Sequence, residues 1–305
     1  APPYTNLLIT ARGAAADQSL LYCVDTRNGM VQTLFDRKLG MLTDVTMDRD
    51  NAGLAVVYQG SQGSGAYFLE RVGNTARIRD ACSLHPTSPR LCSLELGSED
   101  LWIAGTAMSL AVGRVGNLNT SPGCLIESEN FPGFEVSEIL IDRNEARVVL
   151  ALNGKAGSAL YLHDPAGAAY SSTLTTLAGF VTGLAQDPCS GGLLVATNNP
   201  AAPFCFLDTV RGPAQVTTFQ FPSSAFPAGL AVDAIAFDAR ASVNGIHLVW
   251  SVSGDRLYVL GWDSHKHTLI FPNPLLHYPL PFRNATAMSF EGDRDFLMTS
   301  TLPPN

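Results

Sequence analysis

The sequence contains no run of 18 apolar residues, so no segment is a candidate membrane-spanning helix. Lysine is nearly absent: only Lys38, Lys155 and Lys266 stand among the 19 basic residues, and no basic run exists. With a formal charge of −8, such a surface repels phosphate backbones, which argues against nucleic acid as a partner. It also leaves no polybasic patch for a membrane surface. No cysteine pair has C-x-x-C spacing and no Cys/His group has zinc spacing. There is no G-x-S-x-G, hence no nucleophile elbow. No convincing amphipathic helical stretch occurs either. Charged residues make up only 15% against 46% hydrophobic ones, which excludes a disordered chain and provides for a large core over 305 residues.

What is present is a set of recurring phrases, and periods of 20–50 residues mark repeat architectures. The phrase "SLLYCVD" (Ser19–Asp25) returns as "GAYFLE" ending at Glu70, "ALYLHD" at Asp164, "PFCFLD" at Asp208 and "RLYVLGWD" at Asp263. A sixth copy, "MSLAVGRV", carries Arg114 in place of the acid. The steps between copies are 45, 44, 50, 44 and 55 residues. A second phrase alternates apolar and variable residues and ends in an acid: "LTDVTMD" at Asp48, "VSEILID" at Asp142, "VTGLAQD" at Asp187 and "VDAIAFD" at Asp238. Period-two alternation means half-buried strands. The closing aspartates suit turns, where the carboxylate accepts a bond from an amide two residues on.

A third, continuous apolar run follows each turn, as in "LAVVY", "LWIAG", "VVLAL", "LLVAT" and "HLVWSV". Gly- and Asn-rich loops such as "QGSQGSG" and "NGKAGS" then reverse the chain. "GSQGSG" looks like a phosphate loop, but it joins two strands and opens no helix, so a hairpin is expected. Each unit is thus three or four antiparallel strands, and six such units make a six-bladed β-propeller. One domain over 1–305 is expected, with blades at 285–305 joined to 4–36, then 41–80, 90–117, 135–175, 180–220 and 230–272. The terminal strands close one blade, which hides sheet edges. "NLLIT" (Asn6–Thr10) and "FLMTS" (Phe296–Ser300) compete for the same second-strand position in it.

The six cysteines suit disulfides in an oxidising compartment. Cys82 and Cys92 flank a blade-to-blade link, Cys189 and Cys205 share a blade, and Cys23 and Cys124 remain. Fifteen connectivities are open to six cysteines, and nothing in the spacing selects one. Asn119 and Asn284 head the two glycosylation sequons, with Pro122 directly after the first. The start "APPYTNLL" suits a mature N-terminus after signal removal, and "TLPPN" reads as the start of a linker. Together these place the chain outside the cell or at its surface, with the bacterial periplasm as the alternative.

In its repeats the chain resembles NHL-type six-bladed propellers and their gluconolactonase, paraoxonase and strictosidine-synthase-like relatives. The resemblance rests on an apolar-x-apolar-Asp element, then "L-x-V", then "LYxxD", and covers nearly the whole chain. It lacks the Asn-x-Arg-Val ending of strong NHL repeats and the YWTD tetrad of lipoprotein-receptor propellers. Enzymes of this group hold a metal or catalytic groups at one mouth of a central channel. The resemblance therefore nominates Asp44, Glu138 and Asp233, with Asn284, as candidate calcium ligands, calcium taking 6–8 oxygens. Asp233 stands one residue out of register with the other two. His265 and His267, two apart, share a face on a strand but have no third ligand nearby in sequence.

The segment "FPNPLLHYPLPFRNATA" is Pro-rich and aromatic, and offers Phe271, His277, Tyr278 and Phe282 as interaction-loop candidates. The opposing reading is an extended crossing between blades that prolines stiffen. No complete catalytic constellation is legible. The reading is a non-enzymatic binding or adhesion domain without cofactor, presenting a propeller face to a protein or glycan partner. NHL-like ectodomains of cell-surface adhesion glycoproteins are the nearest comparison, and in that context a stalk and membrane anchor would follow Asn305. The alternative is a secreted calcium-dependent lactonase-like hydrolase or a strictosidine-synthase-like lyase.

Overall fold

The computed structural model describes residues 6–47, 54–61, 63–72, 74–83, 91–96, 101–106, 109–114, 126–141, 148–163, 172–208, 214–226, 228–243 and 245–290. Among them every regular element is a strand, and none is a helix long and apolar enough to cross a membrane. Two compact units divide the chain: 1–130 with 286–305, and 131–285.

In the first unit, β1 (Asn6–Arg12), β2 (Gln18–Asp25) and β3 (Met30–Lys38) join the last strand, β25 (Ala285–Phe290), in the order β25-β1-β2-β3. The terminal strands thus share one sheet. Asn6–Thr10 takes its second position, and Phe296–Ser300 lies outside the described residues. The next sheet holds β4 (Met41–Met47), β5 (Leu54–Gly60), β6 (Gly63–Val72) and β7 (Thr75–Ser83). The third holds β8 (Leu91–Leu96), β9 (Leu101–Thr106), β10 (Ser109–Arg114) and β11 (Ile126–Asn130).

The second unit repeats the plan. Its sheets are β12 (Phe134–Ile141) to β15 (Ser172–Leu177) through β13 (Val148–Gly154) and β14 (Gly157–His163), and β16 (Val181–Gln186) to β19 (Val216–Phe219) through β17 (Leu193–Thr197) and β18 (Phe204–Leu207). The last runs β20 (Ala234–Val243), β21 (Ile246–Ser253), β22 (Arg256–Asp263), β23 (Thr268–Ile270), with β24 (His277–Pro279) also paired to β22. Each sheet is the antiparallel meander of a β-propeller blade, and the recurring "LYxxD" phrase is its third strand.

Burial follows the sequence pattern. Second strands such as β5 and β17 are buried on both faces, because neighbouring sheets cover both; hence their unbroken apolar runs. First strands are covered on one face only, and β16 alternates buried and half-buried residue by residue. Among the described residues, Leu21, Leu42, Leu54 and Leu69 centre a core in the first unit, while Leu160, Val195 and Leu207, and separately Phe204, Phe206 and Trp262, centre cores in the second. Each fully buried Leu or Phe contributes about 1.5–3 kcal/mol.

Neighbouring sheets are also stapled by polar side chains at one recurring place. The first strand of four of the described sheets carries a β-bulge near its start: Leu42/Asp44, Leu91/Ser93, Val136/Glu138 and Val181/Gly183. A bulge leaves one residue outside the ladder. That residue is a hydroxyl donor to the next sheet at Thr43, which bonds Cys92 O at 3.1 Å, and at Thr182, which bonds Val232 O at 2.8 Å. Thr286, at the same position of β25, bonds Leu42 O at 2.9 Å. The serine opening the third strand completes the staple: Ser64 accepts from Leu91 N (2.7 Å) and Ser158 from Val181 N (3.1 Å).

Candidate functional site

The Pro-rich segment folds back along its own sheet. β23 covers β22 only at Gly261–Asp263, leaving the other half of the edge bare. Residues 277–279 fill it as β24, opposite Arg256–Tyr258. Val259 N donates to Leu276 O at 3.1 Å and Leu280 N to Asp255 O at 2.8 Å. Covering an edge removes a template for chance strand pairing. Pro279 has no N–H to offer a further strand, so β24 does not invite another.

Apolar anchors hold this strap. Phe271 packs 5.5 Å from Phe221, within a cluster that includes Phe226 and Tyr258. Tyr278 stacks on Trp250 at 6.3 Å and 15°. Phe282 is buried, so it anchors the segment and offers nothing to a partner, a correction to its reading as a contact residue. Phe271 and Tyr278 are half-buried, and His277 is exposed. Leu276, on the same strap, is also exposed, at 47%.

Charge is arranged around these anchors. Arg256 Nη1 lies 3.1 Å from His277 Nε2. A guanidinium only donates, so Nε2 accepts, and His277 Nδ1 carries the proton toward Leu275 O at 3.3 Å. Arg283 grips Asp255 at 2.8 and 3.2 Å and holds its carboxyl below the usual range. Leu276, His277, Arg256 and Arg283 thus form an exposed mixture of apolar, aromatic and guanidinium groups, the composition that protein interfaces favour. Asn284 is exposed beside them, in the left-handed region (φ 57) that asparagine tolerates. Asn119 lies outside the described residues.

The three candidate calcium ligands have different surroundings. Asp44 is buried: Oδ2 accepts from Ser93 Oγ at 2.5 Å and Leu94 N at 2.9 Å, and Oδ1 from Val45 N at 2.7 Å. Burial pushes its carboxyl up despite these donors. It ties β4 to β8 within the first unit. Glu138 and Asp233 belong to the second unit, and Glu138 is half-buried on β12. Asp233 accepts from Gly254 N at 2.8 Å, and burial raises its carboxyl too. The bulges give the reason for its odd register: Asp233 precedes β20 as Thr43 precedes Asp44, so it corresponds to the bulge residue. Among the described residues, no group of three His, Cys, Asp or Glu is placed to hold a metal ion. His267 stacks on Trp262 (8°), and His265 lies against the backbone of Gly245.

Cys189 and Cys205, which share a sheet, do not face each other. Cys205 is a buried thiol facing the core shared with β13 and β14, its pKa pushed up to about 11 by burial. Cys189 is exposed in the turn after β16, and its sulfur meets His247, not Cys205. Cys205 faces the preceding sheet and Cys189 the following one. Cys23 and Cys92 are buried, and the side chains of Cys82 and Cys124 lie outside the described residues.

Sequence reasoning took Asp187 for a turn former, and it is one, accepting from Cys189 N at 3.0 Å. It does more. Buried, it also accepts from Ser190 Oγ (2.7 Å), Trp262 Nε1 (3.0 Å) and Ser264 Oγ (2.8 Å), locking the β16 and β20 sheets together. Burial raises its carboxyl, but the four donors outweigh it and hold the group below its usual range. The lone Trp of "GWD" was the available signal, since a buried indole N–H needs an acceptor.

No protein-family model matches the sequence, and no curated protein sequence matches it. Solved structures do. A chain in the crystal structure of a nidogen/laminin complex aligns with a TM-score of 0.64 at 9% identity, over 94% of this chain and 98% of that one. The crystal structure of a protein from Lactobacillus plantarum aligns with a TM-score of 0.57 at 12% identity, over 94% and 99%. At such identities the likeness concerns the fold alone, and the fold is an all-β propeller.

Proposed function

We propose that this chain is a non-enzymatic binding domain, outside the cell or at its surface, that presents the face built by the β22–β24 strap to a protein or glycan partner. The carrying observation is the strap itself. Its backbone is consumed by β22 and its aromatic anchors are turned inward, yet Leu276, His277 and the two arginines stay exposed and fixed in place. A rigid apolar and guanidinium surface binds at low ordering cost. One further fact supports the reading: one matched chain comes from a complex of two proteins. A glycan on the exposed Asn284 would count against this local face as a tight interface.

The test is saturable binding of the purified chain to a panel of extracellular-matrix proteins and to a glycan array. Leu276→Asp and Arg256→Ala should each weaken a detected interaction by tenfold or more, the scale of a residue central to an interface. Melting temperatures should stay unchanged. Absence of saturable binding on both panels, or binding indifferent to both substitutions, refutes the assignment.

A further inference from the structure

The turn between β16 and β17 holds a cysteine in a fixed and exposed position. Asp187 organises it: its carboxylate takes Cys189 N and Ser190 Oγ, its carbonyl takes Gly191 N at 3.0 Å, and its own N–H reaches Gly192 O at 2.8 Å. Trp262 and Ser264 pin that carboxylate from the next sheet. The result aims the Cys189 sulfur at His247 on β21, with Sγ 3.3 Å from Nε2. His247 is only 4% exposed, and its Nδ1 has no hydrogen-bond partner among the described residues. The ring's one polar contact there is therefore the sulfur. An orphaned buried polar atom costs about 1–3 kcal/mol, so the fold tolerates a penalty to keep an imidazole at this thiol.

We propose that Cys189 is a nucleophilic thiol, with His247 as its proton acceptor, that undergoes thiol–disulfide exchange with small disulfides. A thiolate, not a thiol, is the nucleophile, and a base within hydrogen-bond reach generates it. The Cys189 proton passes to His247 Nε2. The thiolate attacks one sulfur of the small disulfide, whose S–S bond breaks as a new S–S bond to Cys189 forms. The other half leaves as a thiolate and takes up the proton from His247. Cys189 is oxidised and the leaving half reduced, so electrons and protons balance. A metal site does not compete for this pair: both Asp187 oxygens are committed to four donors, and no third ligand stands by among the described residues. Cys205, buried, is the internal control.

The experiment treats the reduced, folded chain with dithiodipyridine, an uncharged disulfide, and follows thiopyridone release. Mass spectrometry of peptides identifies the labelled cysteine. Cys189 should react roughly tenfold faster than glutathione in the same neutral buffer. Cys189→Ser should abolish the fast phase, and His247→Gln should slow it to the glutathione rate while leaving the melting temperature within about 2 °C. The proposal fails if Cys189 reacts no faster than glutathione, a comparison that needs no variant to fold. It also fails if a folded His247→Gln protein labels at the wild-type rate.

Discussion

Replacing Asp187 probes the polar lock between the last two sheets. In Asp187→Ala, Trp262 Nε1 and Ser264 Oγ lose their acceptor while remaining buried. Each unsatisfied donor costs about 1–3 kcal/mol, and the serine hydroxyl can swing to another acceptor, so the expected loss is about 3 kcal/mol. Ser190 is exposed and turns to water at little cost. Asp187→Asn keeps one carbonyl oxygen but gives up charge assistance, for a loss of about 1–2 kcal/mol. The carboxyl is depressed in the fold, so its contribution is fully present above the unfolded value of about 3.9 and is lost as pH falls through the folded value. The wild-type advantage over Asp187→Asn should therefore be constant from about pH 5 to 8 and close in acid. Urea unfolding followed by tryptophan fluorescence at neutral pH and near pH 3 measures both quantities. An alanine variant within about 0.5 kcal/mol of wild type, or an Asn gap that persists in acid, would refute the lock.

Thr182→Val keeps the shape of the bulge residue but removes its bond to Val232 O, and should cost about 1 kcal/mol in chemical denaturation. Gly157 has φ +135 and a Cβ there would stand 2.6 Å from Leu177 O, so Gly157→Ala should lower stability by about 2 kcal/mol or more, while Gly254→Asn, at φ +60 with open space, should change it by less than about 1 kcal/mol. Asp233 is raised by burial, so its ionised form opposes folding as pH climbs past the unfolded value; Asp233→Asn, still able to accept from Gly254 N, should raise the melting temperature at neutral pH and not below about pH 4. The same melting curves with calcium and with chelator should coincide for wild type; a calcium-dependent rise that Asp233→Asn or Glu138→Gln removes would instead support the metal reading.

The strands were legible because both signals are local. Alternation at "VTGLAQ" marked a strand covered on one face, and "LLVAT" marked one covered on two. Closure of one sheet by both termini was legible by elimination, since Ala285–Phe290 lacked a third strand and Ser19–Asp25 lacked a first. The site was less legible. Phe282 and His277 read alike in a Pro-rich stretch, yet one is buried and the other exposed, because the strap doubles back on β22. Asp187 read as a turn former and Asp44 as a candidate calcium ligand, while the donors that tie each to the next sheet come from residues 49 to 77 positions away.

Period, turn chemistry and apolar pattern are short-range properties of the chain, and they by themselves determined an all-β protein of repeated four-stranded antiparallel sheets. Which polar side chains meet is not short-range. Cys189 faces His247 and not Cys205 because sheet stacking sets which neighbour each side chain sees, and a β-bulge of one residue lets Thr43 reach the next sheet through its hydroxyl and Asp44 through its carboxylate. Those choices need the register between sheets, which only packing of the whole unit supplies.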